Sequence, residues 1–261
     1  MKENLNVYFI QTDLIWQDKK ANLLNLETLI SPLNNPDIIL LPEMFNTAFC
    51  PSAIHLAETM KENTVNWMIK ISKKKNCAIS GTLMVKENGN IFNRLVWISK
   101  SGKIYNYDKR HLFSLIDEQK YISAGVKRLI VEEQGWKICP LICYDLRFPV
   151  YSRNDIDYDV LIYLANWPER RINAWKTLLK ARAIENQSYT IGVNRIGVDG
   201  SGVFFNGNSL ALDAFGVELI KPSTSTQTHS ITLRKHHIKS TREKINFLND
   251  RDKFKLINLP N

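Results

Sequence analysis

Long apolar runs are missing from this 261-residue sequence. None reaches the roughly 18 residues that a membrane-spanning helix needs, so no membrane partner is expected. Cysteine is scarce: Cys50, Cys77, Cys139 and Cys143 are too few and too irregularly spaced for a disulfide framework, and they suit a reducing compartment. No paired C-x-x-C motif occurs, which argues against structural zinc. The N-terminus, MKENLNVYFIQTD, lacks the apolar stretch and small-residue cleavage site of a secretory leader, and the expected location is the cytoplasm. No linker, low-complexity stretch or short-period repeat interrupts the chain. One domain over 1–261 is therefore expected, with 235–261 as a C-terminal helical segment and tail.

The composition, 44% hydrophobic and 23% charged, lets a chain of this length bury a sizeable core without covalent staples. The formal charge of +9 is spread through Lys-rich stretches such as Lys70, Lys73, Lys74 and Lys75 and through the tail. Runs of that kind read as solvated surface, so nucleic acid is not an expected partner.

Apolar periodicity alternates between short strands and longer helices. Leu5–Gln11 reads as a strand, and Asp18 as the cap of a helix over Lys19–Ile30. Asp37–Leu41 is a short apolar strand, Thr64–Lys75 a second helix. Cys77–Val85 and Ile91–Ser99 flank Glu87-Asn88-Gly89-Asn90, a hairpin signal, and Lys103–Tyr107 adds a strand. The second half repeats the rhythm: a strand over Trp136–Cys143, a helix opened by Pro149, a strand over Asp159–Ala165, a helix over Arg171–Asn186 and a strand over Ser188–Asn194. The Arg171–Asn186 helix points Ile172, Trp175, Leu178, Leu179 and Ile184 to the core. Hairpin strands are expected over Gly207–Leu212, Val217–Ile220 and His229–Leu233. Two β-α-β-α-β halves packed sheet on sheet, helices outside, give an α/β four-layer α-β-β-α sandwich. Pro140 lies within a strand, where it removes a ladder donor, and a local irregularity is expected there.

Three strand ends carry candidate chemistry. Cys143 closes an apolar strand directly before an expected helix, where backbone N–H groups and the helix dipole favour a thiolate; a buried core cysteine is the plainer alternative. Glu43 follows the apolar strand in Leu40-Leu41-Pro42-Glu43-Met44-Phe45. Strand C-termini are where open α/β sheets bind ligands, and a partly desolvated carboxylate there serves as a general base; a solvated loop glutamate is the alternative. Lys109, in Tyr107-Asp108-Lys109-Arg110-His111-Leu112-Phe113, offers a fixed positive charge for an oxyanion, or merely belongs to a surface charge cluster.

Taken together, Glu, Lys and Cys in this order resemble the nitrilase or carbon–nitrogen hydrolase superfamily. The resemblance runs over almost the whole chain: Gln11-Thr12-Asp13, LPEMF, DKRHLF, Cys143-Tyr144-Asp145-Leu146-Arg147-Phe148-Pro149, Ala165-Asn166-Trp167-Pro168 and Ala181–Gln187. Phe247-Leu248-Asn249-Asp250-Arg251-Asp252 is similar to the omega-amidase branch. The resemblance implies the four-layer sandwich, a Glu43–Lys109–Cys143 triad and a supporting Glu118, with no metal or organic cofactor. It also implies a homodimer, a thioester route with Lys109 and the Tyr144 N–H on the oxyanion, and small amide substrates. Omega-amidase substrates, monoamides of dicarboxylates such as 2-oxoglutaramate and 2-oxosuccinamate, carry a free carboxylate. Arg147, Arg170 and Arg171 are candidates to bind it, or else they pair with Asp145 or Glu169; Phe113 and Trp167 are candidate pocket walls. A Cys–His pair using His111 is a weaker alternative, since His111 falls just outside the triad. His55, His229, His236 and His237 read as surface residues. Outside hydrolysis, a basic binding module sharing the fold remains a competing reading, and nitrile or N-carbamoyl hydrolysis competes within the superfamily.

Overall fold

Two sheets pack face to face, each built by the strand–helix alternation read from the sequence. The computed structural model describes residues 2–257. Its first half runs β1 (Asn4–Gln11), α1 (Lys19–Ile30), β2 (Ile38–Leu40), α2 (Asn63–Lys75), β3 (Ala78–Glu87), β4 (Asn90–Ile98) and β5 (Ile104–Asp108). The second runs β6 (Val131–Glu133), β7 (Trp136–Ile142), the single turn α3 (Pro149–Ser152), β8 (Val160–Leu164), α4 (Ile172–Asn186) and β9 (Tyr189–Val193). Then come β10 (Ile196–Val198), β11 (Phe204–Asn206), β12 (Leu210–Leu212), β13 (Gln227–Arg234) and α5 (Lys235–Lys244). The expected tail continues past the described residues.

The first sheet has the order β13-β1-β2-β3-β4-β5 and the second β12-β9-β8-β7-β6. β13 lies antiparallel to β1 over all eight residues, from Asn4–Arg234 to Gln11–Gln227, so the second half of the chain closes the sheet of the first. Leu5, Val7 and Phe9 alternate toward the other sheet and meet Leu141, Ile162 and Ile191 in one buried cluster. In β2, Ile38 and Leu40 join that cluster, while Ile39 packs outward against Leu26, Met68 and Ile71 of α1 and α2. A strand covered on both faces has no polar face to show, hence its unbroken apolar run. On the outer face of the second sheet, Trp175, Leu179 and Ala183 of α4 supply the fourth layer.

Local chemistry sets the element ends. Asp18 accepts from the Ala21 N–H at 2.9 Å and caps α1, satisfying one orphan donor of the first turn. Asn88 and Gly89 both have positive φ, 49° and 77°, the combination a two-residue hairpin turn needs.

Four expectations are corrected and one element is added. β7 runs straight through Pro140, because β6 pairs only with 136–138. Beyond that point β7 has a strand neighbour on one side only, where a missing donor is tolerated. Val217–Ile220 is not a strand: Asp213 accepts from the Phe215 and Val217 N–H groups, and this turn leaves a single bridge between Leu212 and Glu218. The β10–β11 hairpin is an addition, hidden in the sequence by Gly197, Gly200 and Gly202. Ile184 is 42% exposed, since Ala183 and Asn186 take the inner face of the last turn of α4. His229 is buried, stacked at 4.9 Å on Phe9 in the neighbouring strand.

Candidate active site

Four strand ends meet at one end of the sandwich. β2 leads through Leu41-Pro42 into Glu43, β5 ends directly before Lys109, β7 directly before Cys143, and β8 two residues before Asn166. Glu43, Lys109 and Glu118 are completely buried. Lys109 Nζ donates to Glu43 Oε1 at 3.0 Å and to Glu118 Oε2 at 2.9 Å. A buried charge persists only when paired and hydrogen-bonded, and two carboxylates around one ammonium leave an excess negative charge. Neutral donors absorb it. Asn93 Nδ2 reaches Glu43 Oε1 at 2.9 Å, the Asn166 N–H reaches Glu43 Oε2 at 2.9 Å, and the Phe113 N–H reaches Glu118 Oε2 at 2.6 Å. Thr82 orients Asn93 by donating to its Oδ1 at 2.8 Å.

The electrostatics follow from this buried cluster. Burial opposes the Lys109 charge, but Glu118 and then Glu43 outweigh it and hold the ammonium above the usual lysine range. Burial raises the Glu118 carboxyl, with Lys109 pulling the other way. The Cys143 thiol is pushed well up by burial and then by the Glu43 carboxylate; its Sγ lies 3.8 Å from the Asn166 carbonyl oxygen, toward which it donates. The sequence expectation of a helix-stabilised thiolate is therefore corrected. Only a five-residue 3-10 turn, Cys143–Arg147, follows the strand, too short to outweigh desolvation beside a carboxylate.

Cys143 has φ 40° and Met44, next to Glu43, φ 44°. Non-glycine residues held in this region store strain, of order 1–3 kcal/mol, and persist where the surroundings fix them. Asp145 does much of that fixing. Its Oδ2 accepts from the Ile142 N–H at 3.0 Å and Tyr107 Oη at 2.7 Å, while Oδ1 meets the His111 N–H at 3.1 Å and His111 Nδ1 at 2.7 Å. One buried carboxylate thus ties the cysteine turn to β5 and the lysine loop. His111 stacks on Phe148 at 3.8 Å and serves this scaffold.

Above Cys143 opens a cavity of about 70 Å³, lined also by Lys109, Phe113, Tyr144, Arg147, Trp167, Arg170 and Arg171. All the expected binding residues are thus brought together. Arg147 lies over Trp167 at 5.0 Å and Arg171 over Phe113 at 4.9 Å. Asp145 is committed elsewhere, and none of the three arginines has an ion-pair partner among the described residues, which corrects the alternative of pairing with Asp145 or Glu169. Burial, then Arg170 and Arg147, pull the Arg171 pKa below the usual guanidinium value: positive charge is crowded here, with Asp199 on the same lining. Sequence reasoning assigned no role to Asn93, Phe49 or the β10–β11 residues Asp199, Val203 and Phe205, all at the site or its cavity.

Known proteins share this chain's fold and part of its sequence. Residues 8–243 match the carbon-nitrogen hydrolase family. The chain is 39% identical to the omega-amidase YafV of Escherichia coli K12, over 97% of this chain and 98% of that protein. It is 34% identical to a 2-oxoglutaramate amidase of Bacillus subtilis, over 79% and 82%. XC1258 of Xanthomonas campestris, a CN-hydrolase superfamily protein of known structure, superposes with a TM-score of 0.95 at 37% identity, covering 98% of this chain and 100% of that one. By sequence over nearly its full length, and by fold, the chain belongs to the carbon–nitrogen hydrolase family and is an amidohydrolase acting on carbon–nitrogen bonds other than peptide bonds.

Proposed function

We propose that this amidohydrolase is a cysteine-dependent omega-amidase that releases ammonia from small monoamides of dicarboxylates, of the 2-oxoglutaramate and 2-oxosuccinamate kind. The observation that carries the reading is a thiol beside a buried carboxylate–ammonium pair, sharing one cavity with three arginines that form no salt bridge among the described residues. The relatives named as omega-amidase and 2-oxoglutaramate amidase support it.

In this reading Glu43 takes the thiol proton as Cys143 Sγ attacks the amide carbonyl carbon. The Lys109 ammonium and the Tyr144 N–H hold the oxyanion, each such donor worth about 3–4 kcal/mol of barrier. Glu43 returns the proton to the departing nitrogen, the C–N bond breaks, and ammonia leaves a thioester on Cys143. A water that gives its proton to Glu43 then attacks the thioester carbon, the C–S bond breaks, and the thiol is reprotonated. Glu118 acts through Lys109, holding the ammonium in place. The arginines take the far carboxylate of the substrate, and Phe113 and Trp167 confine its short chain.

The protein is also read as a homodimer in a reducing cytoplasm. Free Cys50, Cys77, Cys139 and Cys143 suit that compartment, and exposed Val150, Phe247 and Phe254 offer apolar surface to a second copy; light scattering tests the assembly. Ammonia and carbon dioxide release from a panel of ω-monoamides, aliphatic amides, nitriles and N-carbamoyl compounds tests the activity. Ammonia from the ω-monoamides, abolished in Cys143→Ala and Cys143→Ser, is the expected result. Turnover of long aliphatic amides with none of glutaramate or 2-oxoglutaramate overturns the substrate assignment.

A further inference from the structure

The β10–β11 hairpin has no place in the mechanism, yet it closes the cavity. Asp199, Val203 and Phe205 all line it, and β11 packs against the Glu169–Arg171 turn that carries two of the arginines. Phe205 is buried and lies over the Arg195 guanidinium at 4.8 Å. Arg195 is itself completely buried. Its Nη2 donates to Asp13 Oδ1 at 2.6 Å and to the Leu14 carbonyl at 3.1 Å, and its Nε to the Ile196 carbonyl at 2.9 Å. Asp13 also forms a bridge with Ile196, and a side chain at Gly197 would collide with the Asp13 carboxylate. The hairpin is therefore pinned at its base to the segment that follows β1, at the opposite end of the sequence.

From this geometry we infer that Phe205, backed by Arg195, is the length gauge of the substrate cavity. The inference rests on the proposed reaction with ω-monoamides. An aromatic wall normally yields to an oversized ligand by rotating or by shifting its strand. Here the ring lies on a guanidinium held by three hydrogen bonds, and its strand pairs with β10, whose base at Arg195 and Ile196 is tied to residues 13 and 14. By contrast Ile116, another apolar lining residue, is 43% exposed and has room to move. A rigid wall in a cavity of about 70 Å³ admits a short chain between the thiol and the arginines and rejects added methylenes. Phe205 sets chain length by contact with the substrate; Arg195 is a positioning residue.

The test compares kcat/KM for monoamides of four-, five-, six- and seven-carbon dicarboxylates in the wild type, Phe205→Leu, Phe205→Ala, Arg195→Met and Arg195→Lys. In the wild type, each methylene beyond the preferred length should cost about tenfold or more. Phe205→Ala should raise the ratio of seven-carbon to five-carbon turnover at least about tenfold, with Phe205→Leu intermediate. Arg195→Met should shift the ratio the same way through KM rather than kcat, and Arg195→Lys should partly restore the wild-type ratio. Circular dichroism identifies a variant that fails to fold, and Phe205→Leu, which keeps most of the ring's volume, then carries the comparison. A length profile unchanged in folded Phe205 variants overturns the gauge. Wild type that turns over none of the four overturns the proposed function instead.

Discussion

Replacing Lys109 with methionine probes the charge balance at the candidate site directly. Methionine approximates the lysine stem, so the substitution chiefly removes the ammonium. In the native protein that ammonium lies 3.0 Å from Glu43 and 2.9 Å from Glu118, all three groups fully buried. Without it, two buried carboxylates keep only the neutral donors Asn93, Asn166 and Phe113. Removing one partner of a buried pair costs about 3–5 kcal/mol. At roughly 2–4 °C per kcal/mol for a domain of this size, the Tm at pH 8 should fall by about 6–20 °C. The pH dependence has a definite sign. The Glu118 carboxyl is already raised by burial, and Lys109 is the strongest influence lowering it, so its loss raises Glu118 further. A carboxyl whose folded pKa lies above its unfolded value binds its proton more tightly in the native state. Its penalty is absent below the unfolded pKa and grows as pH rises through the folded one. The deficit should therefore be largest near pH 8 and shrink toward pH 5. Thermal and urea unfolding across that range, on wild type, Lys109→Met and Lys109→Met/Glu118→Gln, measures it, and the double variant should recover part of the loss. A single variant as stable as wild type at pH 8, or a deficit that does not shrink toward pH 5, refutes the argument.

Two further outcomes follow from the cavity. Arg171→Ala should raise KM for a carboxylate-bearing ω-monoamide about tenfold or more, the worth of a charge-assisted hydrogen bond, and move a neutral amide of equal length much less. Steady-state kinetics on the two substrates decides it, and equal changes in both would remove the arginine from carboxylate recognition. Because burial and Glu43 hold the Cys143 thiol protonated, its reaction with a neutral aromatic disulfide should accelerate about tenfold per pH unit from pH 7 to 9. A rate that levels off below pH 7 would show a preformed thiolate.

Much of the fold is legible because burial imposes period. β2 reads as an unbroken apolar run because both its faces are covered, and α1 starts where Asp18 can cap it. The β10–β11 hairpin is illegible for the converse reason: its strands have three residues each, and Gly197, Gly200 and Gly202 mimic a loop. Ile184 fits helical spacing, yet faces out because spacing fixes a face only to within the width of one side chain. Glu43, Lys109 and Cys143 announce themselves by ending strands. Asn93 and Arg195 do not, because their work is done across the fold. Asn93 reaches Glu43 fifty residues away, and Arg195 reaches Asp13 across 182.

The cysteine shows most clearly what a sequence conveys and what it withholds. Its place at the end of an apolar strand is readable, but its charge is not, because the charge depends on what the other strands bring. A helix dipole alone argues for a thiolate. Glu43 beside the buried thiol argues for the protonated form and prevails, since a thiolate there would add another negative charge to a cluster already holding two carboxylates against one ammonium. The reaction consistent with that balance moves the proton to Glu43 as sulfur attacks, when the developing charge passes to an oxyanion that Lys109 is placed to meet. On this reasoning Lys109 serves the transition state more than the resting thiol.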